Sequence, residues 1–127
     1  LMFYSSGDSS LCGVDTLPAQ QIDILPSIMS YLGYNKPFVS FGVNLFDNKA
    51  DRFVVNYNND IYQIILNDTI TYFDGKKIIG TYDMKHDPSL KNNIYQKGRV
   101  EKAYSLVKAF VQQFNNRMIQ DNLTINK

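Results

Sequence analysis

Between residues 52 and 82 the apolar residues recur every second position, and short clusters of Asn, Asp and Gly interrupt them three times. Arg52–Tyr57, Ile61–Leu66, Thr69–Phe73 and Lys76–Tyr82 are rich in β-branched and aromatic residues, the composition of half-buried strands. The interruptions are Asn58-Asn59-Asp60, Asn67-Asp68 and Asp74-Gly75. Asn, Asp and Gly tolerate the positive φ that tight hairpins require. Links this short join antiparallel neighbours, because a parallel crossover needs a dozen residues or more. The segment therefore predicts a four-stranded antiparallel meander, and that meander constrains where everything else can pack.

Two helices flank it in the sequence. Ile22, Leu25, Met29 and Leu32 recur at helical spacing, with Ile24, Ile28 and Tyr31 widening the stripe. Asp23 is read as the N-cap. Pro26 falls third in the helix, where it has no intrahelical N–H bond to lose, and Gly33 supplies the stop. The predicted helix spans 23–32. A longer one is predicted over 99–118, with Val100, Ala103, Val107, Phe110 and Phe114 on the face that packs on the meander. Lys102, Lys108, Gln112 and Asn116 lie outside it. Leu1–Tyr4 reads as a short buried strand, while 34–51 and Asp83–Gly98 read as irregular. The predicted fold class is α+β: the meander, a long C-terminal helix and a short N-terminal helix. All 127 residues form one subdomain, divided into a core-like segment 1–50 with the 23–32 helix and a sheet-plus-helix segment 51–127.

Composition narrows the function classes. The chain is 44% hydrophobic and 20% charged with a net charge of +1, an ordinary globular balance. It contains no basic run of the kind a nucleic-acid surface needs, and Lys76-Lys77 sits in a turn, so no nucleic-acid partner is expected. No apolar stretch approaches the roughly 18 residues of a membrane helix, and no membrane contact by this segment is expected. Cys12 is the single cysteine, which excludes an internal disulfide. Leu1-Met2-Phe3-Tyr4, an uncapped strand-like opening without a leader, reads as the start of a chain cut from something longer.

The search for chemistry is short. His86 is the only histidine; Asp83 and Asp87 flank it, but Pro88 marks the stretch as a turn, so it reads as a solvated turn residue. Ser5, Ser6, Ser9 and Ser10 have no base placed beside them in the pattern. Asp47 and Asp51 lack the spacing of a calcium loop and read as solvated charges. Gly-rich phosphate loops are missing. Asn67-Asp68-Thr69 and Asn122-Leu123-Thr124 match the glycosylation acceptor pattern. No catalytic, cofactor-binding or metal-binding residue is assigned.

Three segments, in order, resemble the C-terminal part of the sulfatase family within the alkaline-phosphatase-like superfamily. Gln21-Ile22-Asp23-Ile24-Leu25-Pro26-Ser27-Ile28, followed by Leu32-Gly33, is similar to the family's Asp-x-x-Pro-Thr helix. Ser40-Phe41-Gly42-Val43-Asn44-Leu45-Phe46 resembles the Phe-Gly-x-Asp-Leu-Phe segment of lipoteichoic-acid synthase-like phosphoglycerol transferases. Tyr82-Asp83-Met84-Lys85-His86-Asp87-Pro88, running on to Asn92-Asn93-Ile94, is similar to the turn that follows the last strand of the family's small C-terminal sheet. Leu1–Gly7 resembles the last strand of the catalytic core. Ser27 stands where Thr is common, Val43 where a basic residue is common, and Ser6 where Pro usually precedes the glycine.

The resemblance implies the non-catalytic C-terminal part of a metalloenzyme, of phosphoglycerol- or phosphoethanolamine-transferase type, acting on cell-envelope glycolipids or polymers. A sulfate-ester hydrolase of the same fold and, in another class, an independent binding module are the alternatives. The nucleophile and the Asp and His ligands of a divalent metal would lie upstream, and no residue of this chain matches them. The implied partner is the rest of the catalytic domain, and the implied location is the extracytoplasmic face of a bacterial envelope, with an anchor upstream.

Overall fold

In the computed structural model, which describes residues 1–95 and 97–125 (backbone alone for 97–99), the meander forms as the turn chemistry dictates. Strands β1 (Phe53–Asn58), β2 (Ile61–Leu66), β3 (Thr69–Phe73) and β4 (Ile78–Asp83) pair antiparallel in sequence order. Asn59, Asp60, Asn67 and Gly75 adopt positive φ in the three connections, as their side chains permit. One irregularity, between Tyr72 and Phe73, sets the Phe73↔Ile78 and Tyr72↔Gly80 pairs two residues apart on β4.

Helix α1 (Ile24–Tyr31) follows a 3-10 turn at Gln21–Asp23. It ends as expected: Gly33 takes φ +67°, and the Gly33 and Tyr34 N–H groups donate to Ser30 O and Met29 O, closing a Schellman cap. Helix α2 (Lys97–Ile119) begins two residues earlier than the periodicity indicated. Gln96, inside the stretch read as irregular, lies outside the described residues.

Alternation along the strands sorts their side chains by face. Phe53, Val55, Tyr62, Ile64, Thr71 and Phe73 share the face that meets α2. Ile64 and Val107 are completely buried there, with Phe73 and Ala103 around them. Val100 is buried as predicted, and Tyr104, Leu106 and Val111 widen the contact. The predicted helix face needs correction at its far end. Phe110 is half-buried against Phe41 and Phe53, but Phe114 is 42% exposed, touching Phe41 alone among the aromatic rings. Helix α2 is about 35 Å long at 1.5 Å per residue and packs on β2 and β3. Its last turns overhang the sheet and meet the 38–46 loop instead.

Leu1–Tyr4 is the second correction. The segment is not a strand, and Leu1, Met2 and Tyr4 are largely exposed. Phe3 alone packs, ring to ring with Phe46 at 5.1 Å. The reason lies at the sheet edges, where a fifth strand would have to join. On β1 the Gln20 side chain takes the place of a neighbouring strand: its Nε2 donates to Phe53 O at 3.0 Å and its Oε1 accepts from Val55 N at 3.1 Å. On β4, Asn93 Oδ1 accepts from Thr81 N at 3.1 Å and Ile94 N donates to Thr81 O at 2.8 Å. Both edges are thus partly closed by amides, a known defence against strand addition. Gln20→Ala is expected to speed exchange of the Val55 amide roughly fivefold, the equivalent of one lost hydrogen bond of about 1 kcal/mol. Native-state hydrogen exchange reads this directly, and unchanged protection at Val55 would remove Gln20 from the edge.

Candidate functional site

Several of the residues weighed for chemistry are held by bonds within their own turns. In the turn after β4, Asp83 Oδ1 accepts from the Lys85 and His86 N–H groups at 2.9 Å each, and its Oδ2 lies 2.8 Å from His86 Nδ1. Asp87 Oδ2 accepts from Asn92 N at 2.6 Å, which folds the chain back so that Asn93 reaches β4. The His86 ring itself is mostly in solvent. Asp47 accepts from Lys49 N, while Asp51 pairs with Lys102 on α2 at 3.1 Å, so the two carboxylates serve different elements. Ser10 Oγ donates to Asp8, whose second oxygen accepts from the Tyr31 hydroxyl at 2.6 Å. No hydrogen bond among the described residues joins His86 to a serine. Cys12 is exposed. Asn67 occupies the exposed β2–β3 turn. Among the described residues no group of three or more His, Cys, Asp or Glu is placed to hold a metal ion, and no helix is long and apolar enough to cross a membrane.

Bonding to the His86 side chain, and then to its backbone N–H, holds the Asp83 carboxyl below the ordinary aspartate range. The folded turn is therefore favoured by the ionised form. That contribution is complete above about pH 4, the unfolded aspartate value, and is lost as the pH falls through the lower folded value. In an NMR titration, His86→Ala is expected to raise the Asp83 midpoint without returning it fully to the ordinary range, because the Lys85 and His86 N–H bonds remain. An unmoved midpoint would show that the His86 side chain does not act on it.

The densest polar construction lies instead at the start of α1. Asp23 is 1% exposed, although the sequence marked it as a helix cap. It occupies that position, but its side chain caps nothing in α1. Oδ2 accepts from Gln20 N and Oδ1 from Val43 N, each at 2.9 Å. Ser27, fully buried one turn later, donates from Oγ to Asp23 O at 2.6 Å and accepts from Leu45 N at 2.9 Å. The 42–45 loop is thereby fastened to α1 by two backbone N–H groups. Gly42 makes the approach feasible: a Cβ there would lie 2.1 Å from Ile22 O. Arg52, buried just before β1, extends the joint by donating to Asp15 and to Leu45 O. The Asp15 carboxyl is held low first by the Leu17 N–H and then by this guanidinium.

This joint unites two segments that sequence spacing kept apart, 20–27 and 40–46. Both oxygens of Asp23 and the Ser27 hydroxyl are occupied, so the cluster fastens the chain and leaves no nucleophile or base free. The bonding roles of Gln20, Asn93 and Arg52 were not legible in the sequence. Their role is to satisfy backbone groups far away in the chain, which no local period encodes.

No family model matches the chain, and no curated protein or solved structure matches it either.

Proposed function

We propose that this chain is the non-catalytic C-terminal subdomain of a sulfatase-fold metalloenzyme, a transferase of phosphoglycerol or phosphoethanolamine groups on envelope glycolipids or polymers. The observation that carries the reading is the uncovered apolar side of α1. Leu25, Ile28 and Leu32 recur at i, i+3 and i+7 and stand open, Leu32 with 70% of its surface in solvent. Tyr31, Ile22 and Phe46 are exposed beside them. A helix apolar on nearly all sides belongs in a protein interior, and in this reading the catalytic core covers it. The family is chosen by the residues that resemble it. Asp23, Ser27, Gly42, Val43 and Leu45 of the first two segments bond or pack together, and Asp83, Asp87 and Asn93 of the third build the turn that seals β4.

In this role the chain supplies shape. The joint holds α1 and the 40–46 loop at a fixed angle to the sheet, so that the apolar side of α1 is presented as one rigid surface. The chemistry, a metal-activated nucleophile attacking a phosphoryl centre, would come from the covering core and from no residue of this chain.

The test is the product of the complete reading frame, purified with divalent metal present and offered phosphatidylglycerol, phosphatidylethanolamine and an aryl sulfate. Release of diacylglycerol from one of the two lipids is the expected result. Turnover of the aryl sulfate alone would move the assignment to a sulfate-ester hydrolase, and inactivity toward all three would overturn it. Leu32→Asp in that product is expected to separate this chain from the core, seen as new protease cleavage between them.

A further inference from the structure

The face of the sheet turned away from α2 carries no charged side chain on any of its four strands, in a chain with 13 basic and 12 acidic residues. Val54 and Ile70 on this face are buried. They belong to an apolar row with Ile65, and beside it runs a polar one: Asn56 pairs with Gln63, Gln63 with Tyr72, and Tyr72 with Gly80, one residue from each strand. Successive members stand about 4.8 Å apart, the spacing of neighbouring strands. Asn56 is exposed, and Gln63, Tyr72 and Tyr82 are half-buried.

The end of the row is aromatic. Gly80 has no side chain, and the Tyr82 ring fills the space: three of its atoms lie 2.8–3.1 Å from where a Cβ would sit. Tyr82 therefore lies down over the sheet, with Tyr72 edge-on beside it at 5.8 Å and 77°. Next to Asn56, at the other end, opens a groove of about 440 Å³ between β1 and residues 19–24, lined by Val54, Asn56, Ala19 and Ile22. The amides of Gln20 and Asn93 are spent on the sheet edges. Among the described residues, the side-chain amides of Asn56 and Gln63 and the hydroxyls of Tyr72 and Tyr82 make no hydrogen bond within the chain.

We propose that this row is a binding platform for a neutral oligosaccharide. Each amide offers a donor pair beside an acceptor, which matches vicinal hydroxyls, and a reclining tyrosine offers a π face to the axial C–H groups of a pyranose. A row with strand spacing suits an extended, β-linked chain, whose rings follow one another at a similar step. The absence of charge selects a neutral ligand: polyanions and nucleic acids are held by Lys and Arg, and this face has none. The polar row shares no residue with Leu25, Ile28 and Leu32, on which the functional proposal rests, and only the groove beside Asn56 touches that side, through Ile22, so either proposal can fail alone.

The test is a ¹⁵N-resolved NMR titration of the whole chain with cellohexaose and chitohexaose, with chondroitin sulfate as the charged counterpart. Saturable shifts are expected for the Asn56 and Gln63 side-chain amides and the Gly80 N–H with at least one neutral sugar. Asn56→Ala and Gln63→Ala are each expected to weaken that binding roughly three- to tenfold, the value of a hydrogen bond or two, with thermal unfolding unchanged. Gly80→Ala displaces the Tyr82 ring and is expected to weaken it comparably while leaving both amides in place. No shift at millimolar sugar, shifts confined to other surfaces, or preference for chondroitin sulfate would overturn the proposal. Concentration-dependent broadening of this face without sugar would overturn it too, by giving the face to a second copy of the chain.

Discussion

Ile64→Ala is expected to lower the unfolding free energy by about 3–4 kcal/mol, the upper range for emptying a buried aliphatic site. Ile64 is fully buried on β2 and packs with Phe73, Ala103 and Val107, so it joins the two central strands to α2. That cluster is small, and natural domains hold only about 5–15 kcal/mol in total. The variant should therefore unfold at a much lower urea concentration with the same slope. Ile79→Ala is the control: the residue is 43% exposed at the bulge of β4 and should cost less than about 1 kcal/mol. Similar losses in the two variants would mean that the sheet and α2 are not held by this cluster.

Gly42→Ala is expected to break the polar joint while sparing the sheet. The added Cβ would lie 2.1 Å from Ile22 O, 2.4 Å from Ile22 C and 2.7 Å from Asp23 N, all backbone atoms that no rotamer change can move. The cost is about 3 kcal/mol, the high end for overpacking, and it falls on the loop. Hydrogen exchange should show the Val43 and Leu45 amides, which donate to Asp23 and Ser27, losing protection. The β2–β3 amides should keep theirs, because the joint and the α2 core share no residue. Retained protection at Val43 and Leu45 would show that the loop does not depend on this close approach.

The meander and both helices were legible because their determinants are local. Asn59, Asp60, Asn67 and Gly75 take the positive φ that their chemistry allows, and Val100, Ala103 and Val107 follow a helical period onto the sheet. The failures share a cause of the opposite kind. Leu1–Tyr4 has the composition of a strand, but a strand needs a free edge, and Gln20 and Asn93 occupy part of each one. Phe114 keeps the period of the buried face after the sheet beneath it has ended. Asp23 stands where a cap belongs and spends its carboxylate on Gln20 and Val43 instead. Each depends on a partner distant in the sequence, or on an element's end, and residue type carries neither. His86 was read as a turn residue without ligand partners, and its contact with Asp83 belongs to that turn.

The two amides at the sheet edges age differently. Spontaneous hydrolysis turns a side-chain amide into a carboxylate, which keeps both acceptors and loses both donors. Asn93 uses only its oxygen, accepting from Thr81 N and Tyr95 N, so an aspartate formed there keeps β4 sealed. Gln20 uses its nitrogen as well, donating to Phe53 O. A glutamate in its place sets a negative oxygen against that carbonyl and opens β1 at the end nearest the groove. Of the two seals, only the one on β1 depends on the nitrogen of a side-chain amide.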